Sequence, residues 1–290
     1  MTATISPIIR LNDGTTMPAL AFGSGTALWQ QDAAEQVTNA IKAGFRHIDT
    51  AQMYANEESV GAGIAASGVP RGELYICTKL DKVPSGKTVR DTLVASLKKL
   101  RTDYVDLFLI HMPNDHHDLK ATWKALEALK EEGLTRSIGV SNFQPEHLDV
   151  ILDGAKVIPA VNQIEYHPYL VKATAPLIDY LKKHNIRATA YGGLAPVTRF
   201  KHGPVDIVLK RIAGRLHEEA GVQVSKAQVL QAWLRKKDIV CITTSTKKKR
   251  LQEYLSVVKL PNITDEEERE IDEVGSTVHH RVWATWIDEP

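Results

Sequence analysis

Short apolar runs recur along the chain, and each is followed by a longer stretch whose apolar residues have helical spacing. Helices are predicted between the runs, for example at 32–43, 88–100, 119–132 and 173–184. The runs themselves predict eight strands, at 21–23, 47–49, 74–79, 105–111, 137–141, 160–165, 187–191 and 240–243. Strands that alternate with helices favour a parallel sheet, and eight such units predict an α/β fold of the (β/α)8 TIM-barrel type.

Turn and capping residues mark the ends of these predicted elements. Asp32 and Thr88 are suited to the starts of helices, and Gly44 and Gly133 to their ends. Residues 8–18 carry an Asn-Asp-Gly turn between two β-like runs, which predicts a hairpin that closes the bottom of the barrel.

The late acidic run 265–270 follows Pro261 and Thr264. Negative charge there predicts the first turns of a helix, where it complements the helix dipole.

Composition narrows the class of protein. No Pro- or Ser-rich linker interrupts the 290 residues, so one domain over 1–290 with a short C-terminal tail is expected. The formal net charge of +1 gives no drive toward nucleic acid or an anionic membrane, which favours a small-molecule partner. Cys77 and Cys241 lie in apolar runs typical of buried free thiols. With no basic start before an apolar stretch in residues 1–10, a cytoplasmic protein is expected.

Four polar residues fall at or just after the carboxyl ends of successive predicted strands. Asp49 ends the second strand, Lys79 the third and His111 the fourth, and Tyr54 follows the second. In a parallel barrel that edge carries the functional loops. The alternative is four ordinary strand-end side chains: a cap, a packed ring, a surface lysine and a core histidine.

These residue types suit proton transfer to a carbonyl oxygen. An ammonium at Lys79 would lower the pKa of Tyr54 and ease proton donation to a developing alkoxide. Asp49 would keep that lysine charged in an apolar barrel mouth. His111 would donate a hydrogen bond that orients the carbonyl.

The same residues carry a resemblance to a known family. Residues 44–51 read GFRHIDTA and are followed by Tyr54, Asn56 and Glu57, as in the first signature of the aldo-keto reductase superfamily. Residues 100–113, LRTDYVDLFLIHMP, are similar to the family's fourth-strand segment. Further similar segments follow in order at 138–143, 161–163 and 166–168.

The resemblance implies a reductase that converts aldehydes or ketones to alcohols with a nicotinamide cofactor. It makes Asp49, Tyr54, Lys79 and His111 the catalytic tetrad, with Tyr54 as general acid. It also implies a set of cofactor-binding residues around the barrel mouth: Gly25, Thr26, Asp49, Ser141, Asn142, Gln163, Tyr191, Gly192, Leu194, Thr243, Thr244, Ser245, Lys247, Arg250 and Glu253. Ser141, Asn142 and Gln163 would hold the nicotinamide amide, and Tyr191 would stack on its ring.

The third family signature is altered here. Thr243-Thr244-Ser245 stands where the family commonly has Pro-Lys-Ser, so the lysine that helps bind the adenosine 2′-phosphate is missing. Ser245, Lys247 and Arg250 are expected to bind that phosphate, with Glu253 nearby, and Tyr254 replaces an adenine-binding asparagine. NADPH is favoured over NADH because of this local positive charge.

Other departures concern the substrate. Met112 replaces a tryptophan after the catalytic His111, Gly192 replaces a serine, and Ala27 stands at an often aromatic position. The predicted substrate contacts are Trp29, Tyr54, His111 and Met112. Together with the short tail, these departures resemble the fungal branch that reduces conjugated polyketones and α-keto lactones, such as ketopantoyl lactone. Trp283 and Trp286 are expected either in the pocket or in packing.

Three other motifs are interpreted as structural. The Gly61-x-Gly63-x-x-Ala66 pattern lies within a predicted helix, unlike a dinucleotide-binding loop. Residues 85–88, SGKT, lack the first Walker glycine because Asp81 occupies it, which favours a capping turn. Residues 116–118, HHD, have no spaced partner ligands, so no metal site is expected.

Two other functions compete with a monomeric reductase. One is a non-catalytic nicotinamide-sensing subunit on the same barrel, which an intact tetrad disfavours. The other is a barrel hydrolase, which the lack of a metal set or a nucleophile–base pair disfavours.

Overall fold

The computed structural model describes residues 6–288, and eight parallel strands in this range close into a barrel. Two short antiparallel strands precede them. In chain order the strands are β1 (Ile8–Arg10), β2 (Thr16–Pro18), β3 (Leu20–Gly23), β4 (His47–Asp49), β5 (Tyr75–Leu80), β6 (Val105–Ile110), β7 (Thr135–Ser141), β8 (Val161–Glu165), β9 (Arg187–Tyr191) and β10 (Val240–Thr243). β10 pairs with both β9 and β3, which closes the ring and confirms the predicted barrel.

Helices surround the barrel. They are α1 (Ala34–Ala43), α2 (Glu57–Ser67), α3 (Val89–Leu100), α4 (Leu119–Glu131), α5 (Pro145–Leu152), α6 (Val171–Lys183), α7 (Ala195–Thr198), α8 (Val205–Ala220), α9 (Lys226–Lys236), α10 (Lys248–Ser256) and α11 (Asp265–Gly275). Short 3-10 turns lie at Gln52–Tyr54, Arg71–Glu73, Pro113–Asp115, Pro168–Leu170, Val257–Lys259 and Thr285–Asp288. None of the helices among the described residues is long and apolar enough to cross a membrane.

The capping residues work largely as their positions predict. Thr88 caps α3, accepting from the Asp91 N–H while the Asp91 side chain returns to the Thr88 N–H. This capping turn is the SGKT segment, so its structural interpretation is confirmed. Asp32 was expected at the helix start, but α1 begins at Ala34, and the Asp32 carboxylate accepts from the Ala34 N–H at 2.8 Å.

The two glycines inside α2 allow close helix packing. A Cβ on Gly61 would lie 2.2 Å from the Lys99 carbonyl oxygen, and one on Gly63 2.5 Å from that of Ala34. They therefore serve contacts between helices, which confirms that this motif is not a phosphate loop.

The predicted hairpin closes the amino-terminal end of the barrel. Met17 is fully buried and packs with Leu11 against Tyr75 and Leu107 from the barrel interior. Lys130 anchors the turn by donating to Asp13 at 2.7 Å. The barrel interior is therefore a packed core below the carboxyl ends of the strands.

Both cysteines are buried free thiols, and Cys77 points into that interior cluster. Residues 1–5 and 289–290, which the expected domain bounds include, lie outside the described residues.

Candidate active site

A cavity of about 850 Å³ opens at the carboxyl ends of the barrel strands. Its walls come from the loops that follow β3, β4, β6, β9 and β10, and from the C-terminal tail. Most predicted site residues line it: Gly25, Thr26, Trp29, Asp49, Tyr54, His111, Met112, Asn142, Gln163, Tyr191, Gly192, Leu194, Thr243, Thr244 and Arg250. The strand-end positions thus converge on one space, as a parallel barrel requires.

A buried ion pair lies at the base of the cavity. Asp49 pairs in register with Cys77, so Lys79, two residues further along β5, points into the barrel beside it. The Lys79 Nζ donates to Asp49 Oδ1 at 2.5 Å and to the Thr50 carbonyl at 2.8 Å, and Lys79 is wholly buried. Its remaining donor points to the Tyr54 hydroxyl at 3.4 Å.

Burial is the largest single effect and disfavours the ammonium of Lys79. The charge and hydrogen bond of Asp49, together with Tyr54 and Cys77, outweigh it, so the pKa of Lys79 is raised. The prediction that Asp49 holds Lys79 charged is therefore supported by both contact and charge. Gln163 donates to the second Asp49 oxygen at 2.8 Å and completes the carboxylate's hydrogen bonding.

The expected depression of the Tyr54 pKa is wrong for this state of the protein. Burial raises the pKa of Tyr54 above its ordinary value, and the charge of Lys79 opposes the rise without reversing it. A hydroxyl that loses contact with water is harder to ionise, and this effect exceeds the attraction of one ammonium 3.4 Å away. Lys79 still acts in the predicted direction.

His111 is neutral in this setting. Burial and the nearby Lys79 charge lower its pKa to about 3. Its ring lies edge-on to Tyr54, with centroids 5.6 Å apart, and its Nδ1 has no hydrogen-bond partner within residues 6–288. Because His111 lines the cavity, its ring can reach a bound molecule next to Tyr54.

Asn142 links the end of β6 to Tyr191. Its backbone has a positive φ of 63°, a conformation asparagine tolerates. Its amide nitrogen lies 3.1 Å from the His111 carbonyl and 3.2 Å from the Met112 sulfur, while its oxygen accepts from the Tyr191 hydroxyl at 2.7 Å. Ser141 does not line the cavity; its hydroxyl donates to the Gln163 carbonyl at 2.8 Å.

The loop after β3 brings glycine against the tyrosine. A Cβ on Gly25 would lie 2.8 Å from the Tyr54 ring, so only glycine fits there without a shift. Trp29 also packs against Tyr54, with ring centroids 5.8 Å apart.

Asn56 holds this loop, a role that the sequence interpretation missed. It is buried, and its amide donates to the carbonyls of Ser24 at 3.0 Å and Leu28 at 2.8 Å. An asparagine placed just after the tyrosine was part of the family signature, but its partners lie about 30 residues earlier.

The altered third signature forms the far end of the cavity. Thr243, Thr244 and Arg250 line it, and the Thr244 hydroxyl oxygen is buried without a partner among the described residues. Ser245 and Lys247 do not line it: the Ser245 hydroxyl accepts from the Lys247 N–H at 3.1 Å, while the Lys247 side chain is exposed.

A second cavity of about 370 Å³ adjoins this end and shares Arg250 and Tyr254 with the first. Glu253 lines it and accepts from Ser225. Its two further cations, Lys201 and Lys226, were not predicted as site residues; Lys226 is paired with Asp206.

The two tail tryptophans differ in position. Trp283 lines the main cavity, whereas Trp286 packs against His147 on α5 with centroids 5.9 Å apart. The HHD segment leads into α4, which Asp118 caps. Across residues 6–288, no group of three or more His, Cys, Asp or Glu side chains is placed to hold a metal ion.

Comparison with known proteins agrees with this geometry. The sequence model of the aldo/keto reductase family matches residues 19–276. An NAD/NADP-dependent indole-3-acetaldehyde reductase of Schizosaccharomyces pombe is 36% identical over 95% of this chain and 98% of its own. Glyoxal reductase of Bacillus subtilis is 38% identical, covering 89% of each chain. The crystal structure of a Bombyx mori aldo-keto reductase in complex with NADP superposes with a TM-score of 0.84 at 34% identity, covering 98% of this chain and 97% of the other.

Proposed function

The chain belongs to the aldo/keto reductase family, and we propose that it reduces aldehydes or ketones to alcohols with NADPH, using Tyr54 as general acid. The observation that carries the proposal is the contact of the Tyr54 hydroxyl with the buried Lys79 ammonium, 3.4 Å away at the wall of the cavity. A weak acid beside a fixed cation, facing a space for a small molecule, is suited to protonating a carbonyl oxygen.

The proton comes from the Tyr54 hydroxyl. As negative charge develops on the substrate oxygen, the tyrosine proton moves to that oxygen and the phenolate left behind is stabilised by Lys79. Asp49 keeps the ammonium in place throughout, because it holds Nζ at 2.5 Å in a site closed to water. NADPH supplies the hydride when bound.

His111 orients the carbonyl in this proposal. Its pKa of about 3 keeps the imidazole neutral at working pH, so it offers one N–H donor without adding a second positive charge beside Lys79. A neutral donor positions the oxygen next to Tyr54 while leaving proton transfer to the tyrosine.

The described residues fit an extended dinucleotide. The cavity runs from Tyr54 to the β10 end, has glycine at Gly25 where a side chain would collide with Tyr54, and contains the unpartnered Thr244 hydroxyl oxygen. We propose that Asn142, Gln163 and Tyr191 hold the nicotinamide end, with Ser141 supporting them.

For the other end we propose Arg250 as the main phosphate-binding cation, with Ser245 and Lys247, which do not line the cavity, in supporting roles. Arg250 lines both cavities, and its planar guanidinium matches phosphate oxygens. Thr244 offers a neutral hydroxyl where the family commonly has lysine. The preference for NADPH over NADH is therefore proposed to be modest, and the S. pombe relative carries both cofactors in its name.

The proposed substrates are conjugated polyketones or α-keto lactones. Met112 and Trp29 give the cavity apolar walls beside Tyr54, which suit a planar or cyclic carbonyl compound. The names of two relatives give two different substrates, indole-3-acetaldehyde and glyoxal. The substrate class is therefore proposed from the cavity and not from the relatives.

We further propose that the enzyme is a cytoplasmic monomer. Two buried free thiols are typical of proteins in a reducing compartment. Light scattering of the purified protein would test the monomer, and a mass of twice 32.1 kDa would contradict it.

The test of the reaction is turnover of NADPH with aldehydes, α-keto lactones and diketones, comparing wild type with Tyr54→Phe. Loss of the acid is expected to lower kcat about 10²- to 10⁴-fold while NADPH still binds. Tyr180→Phe, which removes a hydroxyl on α6 that donates to Asp149, is the matched control. Full turnover in Tyr54→Phe would contradict the proposal, and bound NADPH without turnover of any substrate would favour the sensing subunit.

A further inference from the structure

The C-terminal tail crosses the mouth of the barrel as a closed loop. Asp288 accepts from His279 at 2.7 Å and from Arg281 at 2.9 Å, so the two ends of the loop are held together. On one side His280 stacks on Phe200, with ring centroids 4.4 Å apart and an angle of 13°. The loop therefore has a defined position over the cavity.

Glu165, at the end of β8, holds the tip of this loop. Its carboxylate accepts from the Val282 N–H at 2.9 Å and from the Trp283 N–H at 2.8 Å, and only 1% of the residue is exposed. A buried carboxylate is costly unless it is hydrogen-bonded, and here backbone groups of the tail provide the bonds. His167 adds a third contact at 3.2 Å.

Gly192 provides the space that the indole needs. A Cβ at Gly192 would lie 2.7 Å from Cζ3 of Trp283 and 3.3 Å from Cγ of Glu165. The ring also meets Tyr191, with centroids 5.7 Å apart, and the Arg199 guanidinium, 4.9 Å from its centroid. The Trp283 ring is thus held between Gly192, Tyr191 and Arg199.

We propose that Glu165 is a positioning residue that fixes Trp283 as a wall of the substrate pocket, and that Gly192 is required to admit this wall. The inference rests on the proposed reductase function and narrows its substrates to carbonyl compounds with a planar apolar group. Three apolar side chains from three separate segments, Trp29, Met112 and Trp283, line the cavity that Tyr54 faces. A flat ring gains contact with them that a methyl group does not.

The first test measures the tail directly and does not depend on turnover. Arg281 has a side chain only 5% exposed, so trypsin should cut after it slowly in the wild type. Glu165→Ala removes the acceptor for two tail N–H groups and is expected to speed this cleavage about tenfold or more. Glu165→Gln keeps one acceptor oxygen and should fall between them. Equal cleavage rates in all three proteins would overturn the role of Glu165.

The second test uses a pair of substrates that differ by one ring, phenylglyoxal and methylglyoxal. Gly192→Ala is expected to raise the ratio of the phenylglyoxal KM to the methylglyoxal KM about tenfold, because the new methyl group displaces Trp283. Gly68→Ala is the matched control: its φ of 74° is close to the 70° of Gly192, but nothing lies within 4 Å of its added Cβ. That variant should keep the wild-type ratio.

Trp283→Ala should raise the same ratio and remove any further effect of Gly192→Ala in the double variant. An unchanged KM ratio in Gly192→Ala would overturn the proposal, even if this variant binds NADPH more weakly. If Tyr54→Phe retains full turnover, the reductase function fails instead, while the cleavage experiment still reports on Glu165 and the tail.

Discussion

The charged side chains at the two ends of the main cavity differ in burial. At the end lined by Tyr54, Asp49 and Lys79 are 2% and 0% exposed and every donor of the ammonium has an acceptor. At the β10 end, Lys247 and Arg250 are exposed on the first turn of a surface helix. The buried end resembles the family pattern closely, and the exposed end departs from it.

Burial explains this difference. A charge removed from water must be paired within the fold, so replacing one member of the Asp49–Lys79 pair leaves the other unsatisfied. Exposed cations keep their hydration, and a neighbouring cation can take over the contact when one is lost. Thr244, which stands where the family commonly has lysine, lies at the end where the exposed Lys247 and Arg250 supply positive charge.

The largest effect is expected from breaking the buried pair of Asp49 and Lys79. Lys79→Met leaves Asp49 buried without its cation, and the free energy of unfolding should fall by about 3–5 kcal/mol. Lys82→Met is the exposed control; Lys82 is 73% exposed and lies 3.3 Å from Asp115, so its loss should cost no more than about 1 kcal/mol. Chemical denaturation measures the free energy of unfolding of both variants. Equal losses would mean that burial does not explain the difference between the two ends.

A smaller effect is expected at the exposed end. Arg250→Ala should weaken NADPH binding about 5- to 20-fold by removing a charge-assisted contact, and should leave NADH binding within about twofold. Fluorescence titration with each cofactor provides the measurement. Lys248→Ala, a neighbouring cation that lines neither cavity, is the control, and an equal loss there would indicate a diffuse field instead of a specific contact.

Adding a lysine at position 244 tests the same end of the cavity in the opposite direction. Thr244→Lys places a cation where the family commonly has one, beside the buried Thr244 hydroxyl position. The ratio of NADH to NADPH dissociation constants is expected to rise about three- to tenfold. No change in the ratio would mean that Arg250 and Lys247 already satisfy the phosphate.

The smallest expected effect concerns pH. With its pKa lowered to about 3, His111 stays neutral and kcat should vary less than about twofold from about pH 5 to pH 8. The raised pKa of Tyr54 keeps its proton available over the same range. A fall in kcat centred near pH 6.5 would show instead that His111 titrates at its ordinary value.

The same shift predicts how stability changes with acid. His111 in the folded protein resists protonation, while in the unfolded chain it takes a proton near its ordinary pKa of 6.5. Its contribution to stability is therefore complete above about pH 6.5 and is lost as the pH falls toward 3. Denaturation at several pH values would reveal this slope, and His111→Asn should flatten it.

Local patterns were enough to predict the barrel. The strands at 47–49, 187–191 and 240–243 have the predicted bounds, because short apolar runs between polar loops leave little choice of register. The helix predicted from 173 begins at Val171, since the preceding 3-10 turn at Pro168–Leu170 runs directly into it. Such differences at element ends depend on the chain that precedes them.

The site was predictable where its residues end strands and not where it depends on distant packing. The four residues predicted as the tetrad lie at or after strand ends, as the direction of the barrel strands implies. No local signal could show that Asn56 holds the Leu28 carbonyl, or that Glu165 binds a tail more than 100 residues later. The direction of the Tyr54 pKa shift was missed for a similar reason, since desolvation depends on the whole fold.

The contacts of Asn142 with Met112 and Tyr191 matter for the engineering of substrate specificity. One amide in a left-handed backbone conformation meets the Met112 sulfur and, through its oxygen, the Tyr191 hydroxyl. A library that varied Met112 to accept new compounds would therefore disturb the aromatic platform across the cavity at the same time. Trp29, which has no such link to Tyr191 among the described hydrogen bonds, is the position to diversify first, with Asn142 left unchanged.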